Sequence, residues 1–164
     1  MKRMALGFVF LLVAAATVSA QVKGKPKIDA RLREALTEAE LHFTEMDDGD
    51  FKLHFTLEDE RTHLVFAESK TQVLGPIEVR EVWAIGWKGD KAPTARIGNK
   101  LLQDNARRKV GAWELHEQED GGFYAIFNVK VSADADGEAL KSIVFGVAQT
   151  ADEMEKDLLG TDDY

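Results

Sequence analysis

Cysteine is absent from the 164 residues. An oxidising compartment would therefore leave the chain unharmed but would supply no disulfides, and stability has to come from packing. A surplus of positive charge is also missing, with 21 Lys+Arg against 29 Asp+Glu and a net charge of −8. That balance argues against nucleic acid, which needs a basic footprint, and against an anionic membrane surface. No GxSxG, Walker A, GxGxxG or HExxH pattern occurs, so none of these motif-borne chemistries is signalled. The apolar run Ala5 to Ala16 is too short for a comfortable membrane span.

That run has the form of an export signal. Lys2 and Arg3 precede it, and Val18-Ser19-Ala20 follows as a small-residue cleavage pattern. Residues 1–20 are expected to be a signal peptide, with an uncleaved anchor as the alternative. The product would be exported, periplasmic or extracellular, without stable membrane insertion after cleavage. Loss of Lys2 and Arg3 leaves 19 bases against 29 acids, a net charge of −10 over 144 residues, which is enough for one domain with one sizeable core. Residues 21–27 read as a basic linker, residues 28–160 as the domain and residues 161–164 as an acidic tail.

The most informative stretch is Leu101 to Val131. Ile97, Leu101, Leu102 and Val110 recur at helical spacing. Arg107, Arg108 and Lys109 then suit a last helical turn, and Gly111 a helix stop. The period next changes from about 3.6 to 2. Trp113 and Leu115, then Phe123, Ala125, Phe127, Val129 and Val131, alternate around the polar turn Gln118 to Gly122, which predicts a hairpin. Tyr124 and Ile126 on the other parity suggest a second, partly covered face.

Elsewhere, a first helix is predicted from about Asp29 to Leu41, with Asp29 as its cap. Residues 42–46 read either as frayed helix or as a short extended piece. Asp47-Asp48-Gly49-Asp50 is a turn by residue type. Strands are predicted over Phe51–Leu57, Thr62–Ser69 and Ile77–Lys88. A regular first hairpin sets Leu57 opposite Thr62, with Leu64 and Phe66 on the side of Leu53 and Phe55. The third strand puts Val79, Glu81, Trp83, Ile85 and Trp87 on one parity. Leu140, Ile143, Val144, Val147, Ala148, Ala151, Met154 and Leu158 form a long helical stripe, capped by Asp134 or Asp136 and ended by Gly160. The order is α-β-β-β-α-β-β-α. The fold class is α+β: a single domain with an antiparallel sheet packed by helices.

Candidate chemistry is sparse. Of His42, His54, His63 and His116, His54 would face Val65 with His63 diagonal to it. A metal site needs a third ligand that the sequence does not supply, so surface histidines are expected. Asp134 to Gly137 fails as a calcium loop, because Ser132 and Ile143 would fall at its first and last ligand positions. Glu81, on an apolar parity, is either a tuned acid or a paired carboxylate; a lone acid makes no acid/base pair. Trp83 and Trp113 suit a core. Trp87, beside Gly86 and Gly89 near a strand end, is the candidate partner contact, with a core position as the alternative. No catalytic residue, cofactor or metal ligand is assigned.

Several local patterns resemble the YbjN-type domain, a bacterial family similar in fold to the type III secretion chaperones. They are Asp48-Gly49-Asp50-Phe51, Arg80-Glu81-Val82-Trp83, Leu101 to Ala106 and Lys109 to Leu115, completed by the striped last helix. The likeness spans about Ile28 to Leu159. It implies a chaperone-like or regulatory domain with no enzymatic activity, a homodimer, and a partner that is a segment of another protein. The signal peptide sets this chain apart from the cytosolic secretion chaperones. The alternative is a small-molecule or lipid-binding envelope protein with an apolar pocket lined by Tyr124, Ile126 and residues of the third strand. A third reading is an enzyme using Glu81 or a histidine.

Overall fold

The computed structural model describes residues 27–119 and 121–164. The expected signal peptide, residues 1–20, and most of the expected linker lie outside the described residues.

Helix α1, Ala30–Glu38, begins where Asp29 accepts the backbone N–H of Arg31, satisfying a donor that has no partner within the helix. Residues 42–46, open in the sequence, contain a short strand β1, Phe43–Glu45, paired with β2, Phe51–Thr56. Gly49 at φ 91° makes the turn between them, a conformation that glycine adopts without steric cost. Strands β3, Thr62–Leu74, and β4, Ile77–Gly89, form a long hairpin. Helix α2, Ala95–Asn105, is capped by Thr94. Then come β5, Ala112–Glu117, β6, Phe123–Ser132, and the long helix α3, Gly137–Leu158. Asp136 caps α3 by accepting the Ala139 N–H, and Gly160 at φ 68° follows its end.

The six strands make one antiparallel sheet in the order β1-β2-β3-β4-β6-β5. The architecture is thus the α+β class expected, in the expected order, with β1 added. Leu32 and Leu36 of α1, Leu101 of α2 and Leu140, Val144, Val147 and Met154 of α3 share one core with Phe51, Leu53, Val65, Val82, Ala84, Phe127 and Val129 of the sheet. Burial of a side chain of this size contributes about 1.5–3 kcal/mol, so this face of the sheet is the main source of stability. No helix of the described residues is long and apolar enough to cross a membrane.

Three expectations are corrected. First, α2 ends at Asn105, so Arg107, Arg108 and Lys109 lie beyond the helix. Side chains stop it: Asn105 Oδ1 accepts the Trp113 N–H at 2.6 Å, and Asp104 Oδ2 binds Arg108 Nε at 2.7 Å. Gly111, at φ 77°, instead leads into β5, where an added Cβ would lie 2.7 Å from the Asn128 carbonyl oxygen. Leu102 and Val110 are exposed.

Second, the β2–β3 hairpin pairs Thr56 with Thr62 and Phe55 with His63, one residue away from the expected register. The connection holds a 3-10 turn, Glu58–Glu60, in which Asp59 and Glu60 adopt φ of 58° and 60°. A one-residue slip reverses the faces. His63, Val65 and Ala67 therefore join Leu53 on the core side, while Leu64 and Phe66 point the other way.

Third, β4 pairs Ile85 with Ile126 but Trp87 with Ala125. Gly86 is the extra residue of a β-bulge, and it returns Trp87 to the core side. Trp87 is 6% exposed, so it does not present an exposed contact.

Candidate functional site

Two regions concentrate polar and aromatic chemistry. The first is the sheet face opposite the core. It carries Leu64, Phe66, Trp83 and Ile85, all half-buried. Phe66 and Trp83 are direct cross-strand partners, and their rings stack with centroids 4.5 Å apart at 21°. The Trp83 indole N–H donates to Glu68 Oε1 at 3.2 Å. Trp83, expected in the core, is therefore the tryptophan of the open face, because it precedes the bulge.

Glu81 sits mid-strand on the same face. It accepts from Gln72 Nε2 at 2.6 Å and Asn128 Nδ2 at 2.8 Å, with Lys130 Nζ at 3.4 Å. Burial pushes its carboxyl up, but these partners outweigh burial and hold it below the usual range. It is a paired carboxylate. Glu68 goes the other way, pushed up by burial and then by Glu81 and Asp50. Beyond this face, the far end of the β3–β4 hairpin exposes Val73, Leu74 and Ile77. Tyr124 lines a depression of about 280 Å³ with Lys88, Asp90, Gln118 and Gly122. Its walls are largely polar and Ile126 is not among them, which differs from the apolar pocket expected around Tyr124 and Ile126.

The second region lies under the core side of β3. The slipped register brings His63, 0% exposed, against Asp152 and Glu155 of α3, which are one helical turn apart on the same side of the helix. Arg61 Nε donates to Asp152 Oδ1 at 2.6 Å. Glu155 Oε1 accepts the Asp163 N–H at 2.6 Å and the Thr161 hydroxyl at 3.0 Å. Asp162 accepts the Thr62 N–H at 3.0 Å, and the Tyr164 ring meets His63 edge-on at 6.4 Å. Residues 161–164 are thus docked over this cluster. Burial pushes the His63 imidazole down and the Glu155 carboxyl up.

The histidines separate accordingly. His42, His54 and His116 are exposed, as expected of surface residues, whereas His63 is buried away from His54 and lies beside two acids, where the sequence supplied no third ligand. One signal was present in the sequence: Asp152 and Glu155 interrupt a helix whose neighbours Ala151, Met154 and Leu158 belong to its apolar stripe.

No family model matches the chain, and no curated protein matches it. Among solved structures it is similar in fold to the crystal structure of YbjN from E. coli, with a TM-score of 0.48 and 15% identity over 77% of this chain and 86% of that one. This is a likeness of fold alone.

Proposed function

We propose that the chain is an exported, non-enzymatic protein-binding domain, chaperone-like or regulatory in role, which takes up a segment of another protein on its open sheet face and acts as a homodimer. The observation that carries the reading is the Phe66–Trp83 stack, half-buried beside Leu64 and Ile85 on that face. Aromatic side chains of this kind are enriched where proteins meet. Val73, Leu74 and Ile77 at the hairpin end add apolar surface of the sort that marks interaction sites. Engagement of Glu81 by three partners suits a structural carboxylate better than a catalytic acid.

The test is co-purification of residues 21–164 from the native envelope, beside a Phe66→Ser/Trp83→Ser double variant of unchanged circular dichroism. One stoichiometric protein partner lost in the variant is expected. Absence of any partner, or equal retention by both, overturns the reading. Light scattering of the purified chain tests the dimer; a monomer at all concentrations refutes that part.

A further inference from the structure

The buried cluster under β3 has the makings of a metal site. His63 Nε2 lies 2.9 Å from the Ile85 carbonyl oxygen. A carbonyl only accepts, so Nε2 carries a proton, and in the neutral imidazole Nδ1 then presents a lone pair. That lone pair faces Glu155 Oε2 at 3.7 Å. Both atoms are buried without a hydrogen-bond partner, in residues that are 0% exposed. A cation held between them would satisfy both, as would a proton on the carboxyl. Asp152 supplies a third oxygen, with all three ligand-type atoms within 4.8 Å of one another.

Arg61 fills this role only at ion-pair distance, and its Nη2 is itself buried without a hydrogen-bond partner. Its Nε is committed to Asp152, and its Nη2 stays 3.6 Å from Glu155 Oε2 and 3.9 Å from Asp162 Oδ1, beyond hydrogen-bonding distance. Formal charge points the same way. The buried Asp152 and Glu155 share the single Arg61 guanidinium, so a second positive charge would find carboxylate oxygen unshared here.

We propose that His63 Nδ1, Glu155 Oε2 and an Asp152 carboxylate oxygen bind one divalent cation of the zinc type, under a cover formed by residues 161–164. One imidazole with two carboxylates is a donor set for zinc and its transition-metal neighbours rather than for calcium or magnesium. Bonds of about 2.0–2.1 Å place two tetrahedral ligands roughly 3.4 Å apart, so the His63–Glu155 pair closes by a few tenths of an ångström, and the site as a whole, its three atoms within 4.8 Å of one another, contracts around the ion. The outer groups are those that orient metal ligands: the Ile85 carbonyl on the far His63 nitrogen, Arg61 on Asp152, and Thr161 and the Asp163 amide on the second Glu155 oxygen.

The experiment uses the whole exported chain, stripped with chelator and titrated with Zn²⁺ by calorimetry and with Co²⁺ by visible absorption. One ion per chain is expected, with a Co²⁺ ligand-field band that Zn²⁺ displaces. His63→Ala and Asp152→Asn should weaken binding at least tenfold, while a triple variant of His42, His54 and His116 to Ala should bind as the parent does. Lack of saturable binding to the parent chain overturns the proposal whether or not the variants fold. Binding that survives His63→Ala, or vanishes in the triple variant, overturns it as well.

Discussion

The guanidinium of Arg80, 2% exposed, donates from Nη2 to Asp29 Oδ2 at 2.9 Å and so fixes the first part of β4 to the residue that caps α1. Arg80 also donates to the carbonyls of Glu68 at 3.0 Å and Ala133 at 2.9 Å. Asp29→Ala should cost about 3 kcal/mol, since it strands a buried charge and removes a helix cap. Arg80→Met, which removes the charge and keeps much of the volume, should cost less than Arg80→Ala. Urea denaturation of the three variants checks the ranking.

The same pair sets an acid limit. Burial alone would push the Asp29 carboxyl up, but bonds from Arg31 and Arg80 outweigh it and hold it at about 2. The unfolded carboxyl titrates near 3.9. Because the folded value is the lower one, the stabilisation is fully present above pH of about 4 and is lost as pH falls toward 2. Urea midpoints measured across that window should fall steeply for the parent chain and less steeply for Asp29→Asn.

Gly86 is where the core leaves no room for a methyl group. A Cβ there would lie 2.3 Å from Trp113 Cη2, 2.6 Å from Cζ3 and 3.2 Å from the Ala151 carbonyl oxygen. Trp113 is itself held, its indole N–H donating to Asp104 Oδ2 at 2.8 Å. With a rigid ring on one side and helix backbone on the other, Gly86→Ala should destabilise by about 2–3 kcal/mol. A near-UV circular dichroism change should accompany it.

Asp104, 4% exposed, accepts from Trp113 and from Arg108 at 2.7 Å and 3.0 Å. Asp104→Ala leaves a buried indole N–H without a partner and should cost about 2–4 kcal/mol. Asp104→Asn retains an acceptor and should cost less. Thermal unfolding separates the two.

Local pattern carried most of the fold. The stripe from Leu140 to Leu158, the alternation from Phe123 to Val131 and the caps Asp29, Thr94 and Asp136 all act through neighbours in sequence, so they were legible. What failed depended on single-residue shifts. The Glu58–Glu60 turn displaced the β2–β3 register by one, and Gly86 reversed the parity of β4, so His63 and Trp87 moved to the core side and Phe66 to the open side. No periodicity reveals a slip of that size. The His63–Asp152–Glu155 cluster was hidden for a further reason: its members lie 89 and 92 positions apart in the chain, and only the packing of α3 on β3 unites them.

The bulge at Gly86 also gives the three tryptophans different optical surroundings. Trp87 and Trp113 are shut in the core at 6% and 7% exposure, while Trp83 lies on Phe66 at the open face. A small aqueous quencher such as acrylamide should therefore draw its effect chiefly from Trp83. Anything that settles on the Phe66–Trp83 face will shield that emission, so the protein carries its own fluorescent gauge of docking and needs no added label.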